Sequence, residues 1–118
     1  IELFAGIGGF RVALDALGGQ CVYANEVAKV PCAIYQANFG RSPQGDVREA
    51  HGEEIPPFDI LTAGFPCQPF TRGGAERAFQ DSRGQLFWHV VRVLRSHRPK
   101  AAILENVPGL LSCKDGQV

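Results

Sequence analysis

Short apolar runs alternate along this chain with stretches of helical periodicity, and that alternation dictates an α/β architecture on a mostly parallel sheet with helices on both faces. IELFAG, residues 1–6, reads as a first strand ending in glycine. GGFRVALDALGG, 8–19, follows as a helix with Phe10, Ala13, Leu14 and Leu17 on one face and Gly18 and Gly19 as its stop. QCVYANE, 20–26, is expected as a second strand and 28–38 as a second helix ended by Gly40. A short third strand is expected around PQGDV, 43–47, before a polar, proline-containing exposed stretch. FDILTAGFP, 58–66, is the fourth strand and delivers Cys67 at its carboxyl end. Residues 71–83, with Gly73, Gly74 and charges at Glu76, Arg77 and Asp81, read as a mobile loop of the kind that carries chemistry. GQLFWHVVRVLRSHRP, 84–99, is a long helix with Leu86, Phe87, Val90, Val91 and Leu94 on its buried stripe, and AAILENVP, 101–108, is a fifth strand ending in a carboxylate.

At 118 residues the chain suffices for one domain but is short for a nucleotide-binding α/β enzyme, which takes about 150 residues or more. It begins at Ile1 inside an apolar run and stops at Val118 just past a motif-like stretch, so it reads as a piece of a larger unit, incomplete at its C-terminus. Twelve acidic and twelve basic residues balance, which excludes the gross basic excess of many nucleic-acid binders; a polyanion would have to be gripped locally or by another part. Cys21, Cys32, Cys67 and Cys113 form no C-x-x-C pair and have no histidine at zinc spacing, and no signal peptide is expected. They are expected as reduced thiols of a soluble, cytoplasmic protein without a metal site. No apolar run approaches the ~20 residues that span a bilayer.

FAGIGGF, 4–10, is a glycine-rich turn from strand to helix, where the backbone can approach a ligand at a helix N-terminus. Arg11 stands where the dinucleotide fingerprint G-x-G-x-x-G requires its last glycine, which argues against a standard NAD site; a turn that merely packs is the plain alternative. Glu26 ends the second strand twenty positions after Gly6 (26 minus 6), where an acid of such folds binds a ribose diol. Asp46 ends the third. Singly, each reads as a solvated surface acid. By the rule that ligands bind outside the carboxyl ends of parallel strands, however, Gly6, Glu26 and Asp46 converge on one nucleoside-sized cleft. Cys67 and Glu105 end the fourth and fifth strands beside it. A lone cysteine is more often a small buried hydrophobe, and a lone glutamate serves as well in a salt bridge. The bracket of Pro66 and Pro69 and the rim position favour an aimed thiolate, with the acid able to engage a ring nitrogen of a heteroaromatic substrate.

FAGIGGF, NEV, GDV, GFPCQPF, DSRGQLFW and ENV, in this order and at these separations over nearly the whole chain, resemble the first six motifs of the cytosine-5 DNA methyltransferases. The resemblance implies a Rossmann-like fold that binds S-adenosylmethionine. Phe4, Gly6, Ile7 and Gly9 match the motif that receives this cofactor. Glu26 matches the acid on its ribose hydroxyls, Val27 the neighbour against the adenine, and Asp46 and Val47 the pair at the adenine edge. Gly64, Pro66 and Leu86 fall where members line the pocket, Cys67 on the nucleophile, Glu105 on the acid that contacts the base, and 71–84 on the loop that closes over a flipped cytosine. The implied partner is DNA containing a target cytosine. FPC in place of the PPC of many eukaryotic members favours a bacterial type, either restriction-modification, with a cognate restriction endonuclease as a further partner, or orphan, without one.

Departures from the pattern set limits on that expectation. Val27 stands where members often carry a larger apolar residue. The arginine-containing motif, the target-recognition domain and the C-terminal segment have no counterpart here, so residues 1–118 are expected as a partial catalytic domain that by itself methylates little or nothing. Two alternatives stay open: a tRNA cytosine-5 methyltransferase, which CQPFTR also resembles, and a non-catalytic S-adenosylmethionine-binding domain.

Overall fold

Three strands and three helices make up the regular structure of the described residues, which in this computed structural model are 1–43, 45–50, 54–66 and 85–108. They follow in the order β1 (Glu2–Leu3), α1 (Gly9–Ala16), α2 (Lys29–Phe39), β2 (Ile60–Gly64), α3 (Gln85–His97) and β3 (Ala101–Glu105). The strands pair in parallel in the order β1-β2-β3, with Glu2 opposite Thr62 and Gly64 opposite Glu105. Parallel neighbours require crossovers, and the helices supply them.

The expected second strand pairs with β1 only at a parallel bridge, Glu2 to Ala24. Three backbone bonds hold it there, from Glu2 N to Tyr23 O, from Asn25 N to Glu2 O and from Ala5 N to Asn25 O. The expected third strand is absent among the described residues of 43–47. Pro43 has no N–H to give a ladder, and the Asp46 carboxylate takes the backbone N–H of Arg48 at 2.9 Å. The chain then turns, with Glu49 N bonded to Asp46 O at 3.0 Å. Asp46 is therefore presented by a turn rather than by a strand end.

The two faces of the sheet carry different helices. Leu3, Leu61, Ala63 and Phe65 pack with Val90 and Val93 of α3 in the larger apolar cluster, and Ala5, Ala24 and Tyr35 form the smaller one with Phe39 of α2. Val93, outside the expected stripe, is as deeply buried as Val90, whereas Val91 is only half-buried. α1 ends as expected: Gly18, at φ 83, and Gly19 return their amides to Asp15 and Leu14. Its predicted face is not covered, however. Phe10 and Leu14 are half-buried, Ala13 is exposed and Leu17 is 83% exposed. The Arg11 guanidinium instead packs over the Phe39 ring at 4.3 Å.

Alternation along β1 sends Leu3 to the α3 face and Glu2 to the other, where it is buried. Its carboxylate accepts from the Tyr35 hydroxyl at 2.7 Å and from the backbone N–H of Arg11 at 2.9 Å, tying β1 to both α1 and α2. Burial, and then the bond to Glu2, pushes the Tyr35 phenol above its ordinary range. A phenol raised in the folded state stabilises the protein below its unfolded pKa of about 10, and that contribution is lost as pH climbs beyond it. Thermal melts across the alkaline range are expected to show a steep fall for the native protein. Tyr35→Phe should melt earlier at neutral pH, by about 1 kcal/mol of stability, and decline less steeply in alkali.

Candidate active site

At the carboxyl ends of β1 and β2 lies a cleft of ≈ 470 Å³, walled by Phe4 and Gly6 from the first turn, Asn25, Glu26 and Val27, the Asp46–Val47–Arg48 turn, Gly64 and Pro66, and Leu86 of α3. The chain leaves β1 through three left-handed residues, Phe4 at φ 54, Gly6 at φ 55 and Gly8 at φ 93. This conformation costs a bulky residue such as Phe4 about 1–3 kcal/mol, and the strain sits on the cleft wall. A side chain on Gly6 would meet nothing within 4 Å, so the glycine leaves backbone open to the cleft. Glu26 closes this turn. Its Oε2 accepts from Gly6 N at 2.9 Å, while Oε1 accepts from Val27 N at 2.8 Å and Ala28 N at 2.7 Å. The Ala28 N–H precedes α2 and has no carbonyl within the helix to receive it, so the Glu26 carboxylate serves as its acceptor. One carboxylate thus orients the glycine turn and the start of α2 together.

Asp46 lies across the cleft, and hydrogen bonding to Arg48 holds its carboxyl below the usual carboxylate range. Val47 is buried, and its carbonyl accepts from Nη2 of Arg92 on α3 at 2.9 Å. The Asp46–Val47 turn is thereby anchored to the helix that also supplies Leu86.

A third carboxylate stands beside the cleft, at the end of β3. Register places Glu105 beside Gly64, and a Cβ on Gly64 would come within 3.4 Å of Glu105 Oε2. The missing side chain lets the Glu105 carboxylate lie against the end of β2. Asn106 then donates from Nδ2 to the carbonyl of Phe65 at 2.9 Å and accepts Val107 N at its Oδ1. It ties the exit of β3 to that of β2, two residues before Cys67. Cys67 itself and the loop at 71–84 lie outside the described residues.

Nine of the eleven residues expected to bind a cofactor, namely Phe4, Gly6, Glu26, Val27, Asp46, Val47, Gly64, Pro66 and Leu86, are brought to this one cleft. Ile7 is 55% exposed and Gly9 opens α1, and neither belongs to the wall. Asn25, Arg48 and Asn106 escaped the sequence reading. Each lies within two residues of an expected acid, Glu26, Asp46 or Glu105, so nearness to a site carboxylate was the available signal.

A family model described as C-5 cytosine-specific DNA methylase matches residues 1–118. The chain is 52% identical over 110 residues to the Type II methyltransferase M.DsaV of Dactylococcopsis salina, covering 93% of this chain and 31% of that protein. It is 47% identical over 116 residues to the Type II methyltransferase M.HhaI of Haemophilus parahaemolyticus, covering 98% and 36%. The chain therefore spans about a third of the length of these curated relatives. Its fold matches the structure of a putative DNA modification methyltransferase encoded within an E. coli prophage with a TM-score of 0.77 at 30% identity, covering 94% of this chain and 32% of that one. It matches S. pombe Dnmt2 methyltransferase with a TM-score of 0.75 at 28% identity, covering 96% and 37%. A match to the family model along the whole chain, on a parallel sheet whose strand ends form the cleft, identifies this chain as a member of the C-5 cytosine-specific DNA methylase family.

Proposed function

We propose that this chain is the cofactor-binding and nucleophile-bearing part of a DNA (cytosine-5-)-methyltransferase. The observation that carries the reading is the meeting of Glu26 and Asp46 in one partly apolar cleft, with Glu105 at the neighbouring strand end. The residues fit S-adenosylmethionine. Glu26 suits the ribose hydroxyls, Asp46 an exocyclic amine, and Val27, Val47, Phe4 and Leu86 the apolar faces of a nucleoside. When bound, this cofactor supplies the electrophilic methyl group that carbon 5 of cytosine takes up.

The chain's own residues do the rest. Cys67, as thiolate, adds to carbon 6 and loads electron density onto carbon 5. Glu105 holds a proton at ring nitrogen 3 and so stabilises the addition. Loss of the carbon 5 proton then expels Cys67 and restores the ring. A stacked base must first leave the duplex, a task suited to the segment at 71–84. Sequence recognition falls to a target-recognition domain beyond residues 1–118. The likeness to bacterial Type II methyltransferases supports a bacterial cytoplasm as the setting and a cognate restriction endonuclease as partner. Among the described residues no helix is long and apolar enough to cross a membrane.

Glu26→Gln in the intact gene product is expected to weaken S-adenosylhomocysteine binding about tenfold, because hydroxyl bonds to a carboxylate are worth about 1.5–3 kcal/mol and those to an amide about half as much. Isothermal titration measures it. The function is tested by offering labelled S-adenosylmethionine with duplex DNA or with tRNA. Label in DNA cytosine supports the reading. Label in tRNA alone decides for the alternative that CQPFTR at 67–72 favours.

A further inference from the structure

The cleft has one cation on its described wall, and its place is not explained by stability. Arg48 Nε donates to both oxygens of Asp46, at 3.0 and 2.9 Å, its Nη2 donates to Oδ2, and its backbone N–H donates to Oδ1 at 2.9 Å. The carboxylate is recessed, with 17% of its side chain exposed against 64% for the arginine. An ion pair with so exposed a cation contributes little to folding, and holding a long side chain in one geometry costs rotamer entropy. The chemical consequence is sharper. An ionised carboxylate offers about four acceptor positions, and Arg48 directs three N–H protons at them, that of Nε being shared between the two oxygens. What remains is about one acceptor position, on a group held ionised and immobile beside the buried Val47.

We propose that Arg48 is a specificity-determining residue of the purine end of the cleft, locking Asp46 as a single fixed acceptor so that the site takes a 6-aminopurine nucleoside and rejects a 6-oxopurine. The inference rests on the cofactor reading above and deepens it. An amino group gives its N–H to the remaining position of Asp46. A ring carbonyl there would set oxygen against oxygen, with both left unpaired. Without the guanidinium fork the carboxylate can rotate, gain water and tolerate either edge. Lysine, a point charge without the fork, cannot hold both oxygens in one plane.

The test is isothermal titration of the intact gene product with S-adenosylhomocysteine and S-inosylhomocysteine, in the native protein, Arg48→Ala and Arg48→Lys, each checked by thermal melting. Expected for Arg48→Ala is an unchanged melting midpoint, adenosyl binding weakened about tenfold and inosyl binding little altered, so that discrimination falls by about the same factor. Arg48→Lys should recover less than half of that loss on a logarithmic scale. An unaltered adenosyl-to-inosyl ratio in Arg48→Ala overturns the proposal, as does tighter adenosyl binding, which would make Arg48 a competitor for Asp46. Failure of the native protein to bind S-adenosylhomocysteine overturns the cofactor reading and this proposal with it, whereas native binding with an unchanged variant ratio overturns this proposal alone.

Discussion

Cys67→Ser in the intact gene product is expected to lower methyl transfer to DNA about a thousandfold or more, equivalent to about 4 kcal/mol of barrier, while S-adenosylhomocysteine binding stays within about twofold. The two readouts separate because the residues that wall the cleft and the proposed nucleophile are different groups. Glu26 and Asp46 sit on the wall, and their fixed bonds run to Gly6, Val27, Ala28 and Arg48. The nucleophile is proposed to act at the exit of β2, where Asn106 pins the Phe65 carbonyl. A thiol near neutral pH supplies usable thiolate, whereas a serine hydroxyl needs a neighbouring base to become a nucleophile. Initial rates with labelled cofactor, set beside titration of the same variant, measure both quantities. A rate within tenfold of native would remove Cys67 from the reaction.

Gly8→Ala is expected to cost about 3 kcal/mol or more, enough to unfold a marginal domain or to collapse the cleft. Gly8 holds φ 93 at the start of α1, and a Cβ there would stand 2.2 Å from Phe39 Cε2 and 3.2 Å from Tyr35 Cδ2. Left-handed backbone alone costs a residue with a side chain about 1–2 kcal/mol. The overlap adds a repacking cost of about 1–3 kcal/mol. Phe39 cannot simply swing away, because its ring packs against Tyr35, tilted by 55° with 4.7 Å between centroids, and lies under the Arg11 guanidinium. Displacing that group disturbs the bond from Tyr35 to Glu2, and so β1 itself. Gly9→Ala next door is the control: a Cβ there meets nothing within 4 Å, and Gly9, the first residue of α1, does not hold a left-handed angle. Denaturant midpoints should fall sharply for the first variant and stay level or rise for the second.

These neighbours show where sequence reading stops. A run of glycines announces a tight turn, but which one bears the left-handed angle against an aromatic ring depends on a helix some thirty positions later. Glu2 was likewise illegible: a strand acid reads as solvated until Tyr35 and Arg11, from two separate helices, arrive to pair with it. The three helices were legible because apolar spacing and end signals at Gly18, Gly40 and Pro99 are local. Strand lengths were not. Pro43 and the Asp46 turn broke the expected third strand, and 20–26 pairs at a single bridge. The convergence of Gly6, Glu26 and Asp46 survived that error because the site depends on where the chain crosses the sheet end, not on whether each crossing completes a ladder.

The central claim, that this family member forms a covalent bond from Cys67 to a cytosine base, is tested most directly by incubating the intact gene product and S-adenosylmethionine with duplex DNA carrying 5-fluorocytosine at its target site. Fluorine blocks the final elimination, so the account predicts a denaturation-resistant protein–DNA complex that fails to form with Cys67→Ser. Trapping that persists in Cys67→Ser, or methylation of DNA cytosine with no trapping by the native protein, would contradict it.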